Sequence, residues 1–491
     1  MGGGYTVSGY SVSTPRGVGR ITRGSLAFGA LSVFGAACVG VLVARGGRLS
    51  FACAGVAVEL AVIGLIVALG FRSLLVWIAA SPLLYPFIRL SGPHTLVTFD
   101  RLWILGAFAG LAVGLPRARA SRPSRVLWRM LKWLALAYGV RAAFTGGGRL
   151  AAVSIWFDAI VLPVILFFLA SRLVVTEKRW QQVAGAFTAA GLGLAAIGIG
   201  ETVFGFDLAS RSGGVPRFDA ALGIVRISGP YGAPEPYALA LLVCFAVTLA
   251  WMQLRRGPSL VLGGVIAVLE VTAISLTFFR AAWISMIIVF VTALGLRPQR
   301  LRRLVGVTAA VAAIGFLALG SLEQNRLIGA RLNGEVAKGN VSGRLATYKQ
   351  GFAIFRTAPL FGVGIERYAV AQGGVVGVAY AGVSAQEHPH SSYEGMLAEQ
   401  GIFGFAPLVA ATGAVLLLLR AFRRRVTGRH DVLLAAAAYG ASLAYLLMSL
   451  TLTMLPYGSS NAFFLLLLGV VCGRLDAADV SHQPVPVIGP L

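Results

Sequence analysis

Apolar runs of about 20 residues recur along nearly the whole chain, and a helix of that length spans the roughly 30 Å hydrocarbon core of a bilayer. This pattern excludes the three soluble domains that 491 residues would otherwise suggest. Composition agrees: 57% of residues are hydrophobic and 12% charged, against about 25% charged in a soluble domain. The chain reads as a polytopic membrane protein. Fourteen spans are expected, near 25–44, 51–70, 73–89, 102–115, 127–144, 152–170, 181–200, 237–253, 259–279, 281–296, 304–320, 402–419, 433–454 and 462–473. The fourth and last are short. The fifth carries Arg129 and Lys132 in its first turns, so each of these three is also compatible with a re-entrant or interfacial segment. The first run begins near Ser25 and reads as a retained helix rather than a cleaved leader.

The net charge of +24 comes from 42 Lys and Arg against 18 Asp and Glu. In a membrane protein such charge is sorted by side before nucleic acid is invoked, because cytoplasmic loops collect Lys and Arg. With the N-terminus (Arg16, Arg20, Arg23) in the cytoplasm, the basic loop 116–126 falls inside. So do Arg172, Lys178 and Arg179, then Arg255 and Arg256, the cluster 297–303, and Arg420 to Arg429. Both termini are then cytoplasmic; the main conflict is the loop with Arg45 and Arg48, which falls outside. The expected division is a disordered segment 1–24, a membrane domain 25–473 and an unstructured tail 474–491. Cys38, Cys53 and Cys244 lie in apolar runs and Cys472 ends one, so the thiols read as small buried hydrophobes.

Two external segments, about 201–236 and 321–401, are too long to be simple turns. Within the larger, Ser342 to Arg356 has helical periodicity, with Leu345, Tyr348, Phe352 and Phe355 on one face. It reads as a surface helix on the outer leaflet, stopped by Pro359 and followed by a turn at Gly362-Val-Gly364.

External cations are informative because topology does not demand them. Arg226 lies in Arg-Ile-Ser-Gly-Pro-Tyr-Gly-Ala-Pro-Glu-Pro, Arg280 at a tight turn, and Arg344 in the amphipathic stretch. A guanidinium offers a permanently charged, bidentate fork for phosphate; snorkelling to lipid headgroups is the competing role. His388, His390, Glu394 and Glu399 cluster at the outer end of the twelfth span. Histidine moves protons near neutral pH. A hydrogen-bonded loop histidine and a metal ligand remain open alternatives, although no complete ligand set is evident. Glu59, Asp158 and Glu270 fall within spans and are what a proton-coupled transporter or lipid-glycan flippase would use.

Four local patterns give this chain a family resemblance. They are Arg226 in R-x-x-G-x-x-x-x-P; Arg280-Ala-Ala-Trp283; Gly343-Arg344 leading to Pro359-Leu-Phe-Gly362-Val-Gly364; and His390 leading to Glu399-Gln-Gly401-Ile-Phe-Gly404. Together they resemble the O-antigen ligase and O-antigen polymerase family of bacterial polysaccharide assembly. Phe279 and Ser391 depart from the family's Ser and Asn at those places. The resemblance implies an all-α, multi-pass glycosyltransferase of the cytoplasmic membrane. Its donor is a glycan on undecaprenyl diphosphate at the outer face, its acceptor a hydroxyl of a lipid or glycan, and it needs neither cofactor nor metal. Arg226, Arg280 and Arg344 would hold the diphosphate, and His390 would act as base, oriented by Glu394 or Glu399, with inversion at the anomeric carbon. Whether the glycan is ligated or polymerised is not separated by these motifs.

Overall fold

The computed structural model describes residues 48–87, 98–112, 115, 120–206, 208, 217–219, 224–295, 335–375 and 389–481. The expected spans at 25–44 and 304–320, and His388, lie outside the described residues. The other twelve expected spans all fall on helices. In chain order these are α1 (Arg48–Leu69), α2 (Arg72–Leu84), α3 (Phe99–Leu111), α4 (Arg122–Ala143), α5 (Arg149–Leu173, containing a π turn at Phe157–Val161) and α6 (Glu177–Phe204). There follow α7 (Pro234–Gln253), α8 (Pro258–Leu276) and α9 (Arg280–Gly295). Beyond the 296–334 stretch come α10 (Glu335–Thr357) and the short α11 (Tyr368–Val375), then α12 (Ser392–Arg425), α13 (Arg429–Thr451) and α14 (Gly458–Ser481). Seven of these, α5 to α8 and α12 to α14, are long and apolar enough to cross a membrane. The chain is a multi-pass, all-helical membrane protein. One small departure is an antiparallel ribbon, β1 (Arg217–Asp219) with β2 (Ile224–Arg226), pairing Arg217 with Arg226.

Local chemistry starts several helices. The hydroxyls of Thr98, Ser121, Thr176 and Ser391 accept backbone N–H bonds at their N-termini. Proline occupies the first turn of α4, α7 and α8, where no intrahelical donor is lost. α7 is apolar on every side after Glu235, and it is enclosed accordingly, packed by α6, α8, α9, α13 and α14. α5 and α14 pack along each other closely at Gly469 and Gly473, where the α5 backbone carbonyls of Phe167 and Ser171 come near.

The chain from Arg474 to Ser481 is helical rather than an unstructured tail. Its residues are tied down: the Arg474 guanidinium meets both oxygens of Asp431 at 2.7 and 2.8 Å and donates to the Val175 carbonyl at 2.7 Å. Asp476 accepts the Ser121 amide at 2.9 Å, and Arg425 pairs with Asp479. These bonds join α4, α5, α12, α13 and α14 at one end of the bundle.

The Arg474–Asp431 pair is mostly enclosed, with side chains 12% and 9% exposed. Removing one partner of such a pair costs about 3–5 kcal/mol, because the other charge is left buried. Asp431→Asn is therefore expected to lower the thermal midpoint of the detergent-solubilised protein. Asp431→Asn combined with Arg474→Gln should recover part of the loss. A double variant less stable than the single one would show that the pair is not the source.

Candidate functional site at the His390 end of the bundle

The two motif segments of the larger loop form one backbone knot. α12 breaks at Gly401, whose φ of 62° and ψ of −161° lie in a region open essentially to glycine alone. The break leaves carbonyls facing one way and amides the other, and the loop 358–364 satisfies both. Val363 N–H donates to Ala398 O at 3.0 Å and Gly364 N–H to Glu399 O at 2.8 Å. In return Ile402 N–H reaches Pro359 O at 2.9 Å and Phe403 N–H reaches Leu360 O at 3.0 Å. Gly362 and Gly401 meet back to back: a Cβ on Gly362 would lie 2.2 Å from the Glu399 carbonyl carbon, and one on Gly401 2.5 Å from Leu360. Arg141, from α4, closes the knot by donating to Gly362 O at 3.0 Å and Phe144 O at 3.2 Å.

Glu399 sits inside this knot. Its carboxylate accepts the Tyr368 amide at 3.3 Å and faces the amides of Glu366 and Arg367, so it caps the start of α11. Glu394, five residues earlier, is buried and faces elsewhere. It accepts the Tyr368 hydroxyl at 2.8 Å, meets the His390 backbone amide, and lies against Gly351 of α10. Of the two acids, Glu394 is therefore the one joined to His390, and through that residue's backbone.

His390 is half-buried on a segment pinned to the C-terminal end of α13. Ser391 Oγ donates to Ser449 O at 3.2 Å, and Ser392 N–H to Leu452 O at 3.1 Å. The Thr453 hydroxyl donates to Pro389 O, and Met454 N–H to Ser392 Oγ at 2.7 Å. The same end of α13 receives α10 through the Tyr348 hydroxyl, which donates to Leu450 O. The Arg344 backbone lies one turn before Tyr348 in α10.

Arg226 binds the turn between α8 and α9, three residues before Arg280 opens α9. Arg226 Nε donates to Thr277 O at 3.0 Å, and its guanidinium lies 3.9 Å from Glu235. The turn is strained, since Phe278 is a bulky residue with φ of 50°. α9 runs antiparallel to α13, with Ser285 opposite Ala444 and Thr292 against Gly440. That register sets Arg280 level with the Ser449–Leu452 end of α13, where the His390 segment is bound. Arg226, Arg280, the Arg344 backbone and His390 thus share one end of the bundle. An apolar cavity of about 80 Å³ lies deeper between α4, α5, α12, α13 and α14, lined by Leu131, Leu408, Ala411, Tyr445, Asn461 and Phe464 among others.

α10 turns its polar side inward. Thr347, Gln350 and Ile354 are buried, with Gln350 bonded to Gln372 at 3.0 Å, while Leu345, Tyr348 and Phe352 are exposed. The apolar face read from the sequence is therefore the outward one.

Residues 265–409 match the family model described as O-antigen ligase. The chain carries a domain of the O-antigen ligase family. No curated protein matches the chain. The domain covers Arg280, the knot, Glu394, Glu399 and His390, and it supports glycan transfer by a membrane ligase of this kind. Arg226 precedes it and joins it through Thr277.

Other acids have different settings. Asp158 is held bidentately by Arg101 at 2.7 Å, beside Ser154. Glu270 is enclosed, accepting the Thr248 hydroxyl at 3.0 Å. Arg141 and Tyr368 were not singled out in the sequence. Arg141 carried a signal, being a lone cation near the end of an apolar run; Tyr368 carried none.

The knot makes a sharp expectation. Gly401→Ala and Gly362→Ala each force a Cβ into backbone and, at Gly401, a strained φ worth about 1–3 kcal/mol by itself. Each should lower the thermal midpoint and expose the 358–367 segment to limited proteolysis. Gly413→Ala, in open space on the same helix, should do neither. Wild-type stability in Gly401→Ala would remove the knot as a stabilising element.

Proposed function

We propose that this O-antigen ligase-like protein transfers a glycan from undecaprenyl diphosphate to an acceptor hydroxyl, as ligase or polymerase, at the external face of the bacterial cytoplasmic membrane. The observation that carries this reading is the binding of Arg226 to the Thr277 turn that leads into Arg280, at the level of α13 where the His390 segment is bound. Breaking the bond to the anomeric carbon expels a diphosphate, and negative charge grows on the departing oxygen. Fixed guanidinium groups stabilise that charge most as it develops, in a site shielded from water. Arg226, Arg280 and Arg344 are proposed for this role, which a divalent metal fills in other transferases.

The attacking hydroxyl loses a proton as its oxygen bonds to the anomeric carbon. His390, half-exposed beside the same helix end, is proposed as the base that takes it. Attack from the face opposite the diphosphate inverts the anomeric configuration. Glu394 steadies the His390 backbone, and Glu399 holds the knot beneath it. The exposed apolar face of α10 and the apolar cavity beneath the site suit a lipid-borne donor. The remaining parts of the proposed assembly are the bilayer, the glycan or lipid acceptor and a cytoplasmic location for both termini.

The test is a reconstituted transfer assay with a polyprenyl-diphosphate oligosaccharide in EDTA. Wild type should extend or transfer the glycan. His390→Ala should lose about 10²–10⁴ of the rate, as expected for removal of a general base. Arg280→Lys keeps the charge without the fork, and should lose on the order of 10²-fold in kcat. A product ladder without added acceptor identifies a polymerase; product only with a separate acceptor identifies a ligase. Wild-type rates in His390→Ala would remove the base assignment, and activity abolished by EDTA would overturn the metal-free scheme.

A further inference from the structure

The end of the bundle opposite His390 carries a second feature, separate from the transfer chemistry. The exposed residues of α4 form one stripe with two halves. Arg122, Arg125, Arg129 and Lys132 occupy the first, and Trp133, Leu136 and Val140 the second. Their spacing of three and four residues keeps them within about 100° of arc. The basic half is about 15 Å long and the apolar half about 11 Å, at 1.5 Å per residue. The apolar half, opening with Trp133, lies against hydrocarbon and the basic half toward the headgroups, with Lys132 able to snorkel outward. The polarity is fixed by α4 itself, because Arg141 at its far end binds Gly362 in the knot.

The basic half is shaped as well as charged. Trp128 stacks on Phe167 of α5 with ring centroids 5.9 Å apart, and Lys132 lies 5.7 Å above the Trp128 ring. Arg172 of α5 lies over Phe168. A notch of about 40 Å³ runs between the two helices, with Arg125 on one wall and Arg172 on the other, and Ser124 and Ser171 beside them. Asp476 also lines it, one oxygen accepting the Ser121 amide, and its charge offsets one of the cations there, leaving the notch net positive with Arg125 and Arg172. The sequence from Arg101 to Phe157 contains no Asp or Glu, so α4 has no acid of its own to offset these cations.

We propose that the α4–α5 notch is a binding site for the headgroup of an anionic phospholipid. The phosphate lies between Arg125 and Arg172, Arg129 and Lys132 add charge, and an acyl chain runs along Trp133, Leu136 and Val140. Charge complementarity selects an anionic over a zwitterionic headgroup, and the apolar half of the stripe selects a lipid over a soluble anion. The bound lipid would brace the outer side of α4, the helix that clamps the knot at its other end.

The test uses the full chain in detergent, titrated with phosphatidylglycerol or phosphatidylcholine, with thermal midpoint and native mass spectrometry as readouts. Phosphatidylglycerol should raise the midpoint and remain bound as one or a few molecules; phosphatidylcholine should not. Each Lys or Arg near an anionic surface contributes about a factor of five, so Arg125→Gln with Arg129→Gln and Arg172→Gln should weaken the half-saturating concentration by on the order of 100-fold. The midpoint in phosphatidylcholine should stay unchanged, which shows that the variant folds. A control removes three exposed cations elsewhere, Arg420→Gln with Arg423→Gln and Arg424→Gln. If the control loses as much as the notch variant, the effect is general surface charge and the site is overturned. No retained phosphatidylglycerol, or dimerisation of the wild type that the notch variant abolishes, would overturn it equally.

Discussion

The break in α12 at Gly401 is the constraint from which the candidate site is built. A helix interrupted near a membrane surface exposes carbonyls on one side of the gap and amides on the other, and leaving these unmet is costly. Here the loop 358–364 meets both sets, contributing two acceptors and two donors. Neither segment has this shape without the other. Gly362 and Gly401 face each other where no side chain fits, so the two motifs act as one structural unit although about forty residues separate them in the chain.

From this unit the placement of the candidate site residues follows. Fixing Ala398 and Glu399 fixes the first turns of α12, and with them Glu394 and the Ser391–Ser392 start of the helix. That start is bonded to the C-terminal end of α13. α13 in turn holds α9 in antiparallel register, which brings Arg280 to the same level, and Arg280's neighbour Thr277 holds Arg226. Arg226, Arg280 and the His390 segment are thus placed by neighbouring helices and a loop joined through backbone and side-chain bonds.

The two carboxylates near His390 illustrate how similar residues acquire different work. Glu399 is inside the knot and caps α11, so its oxygens are occupied by backbone amides. Glu394 faces Tyr368 and the His390 backbone. Their spacing in the sequence could not separate these roles, because both follow His390 within ten residues and the partners that distinguish them, the α11 amides and the Tyr368 hydroxyl, come from another segment. The direction of α10 is similar. Its periodicity was plain, but which face meets protein was decided by Gln350, Thr347 and Gly351 packing on Gln372, Tyr368 and Glu394.

What the sequence determined by itself was the membrane architecture, the helical spans and the motif residues, because hydrophobic length and the φ demands of glycine are local properties. Twelve of the expected spans fall on helices, and α10 was legible from its periodicity. It did not reveal that the chain after Arg474 stays helical, since the Asp431 and Ser121 partners that hold it lie on other helices. Nor did it reveal Arg141 as the clamp on Gly362, or the pairing of Arg226 with the Thr277 turn. Those arrangements depend on helix register across the bundle, and register is set by packing between segments far apart in the chain.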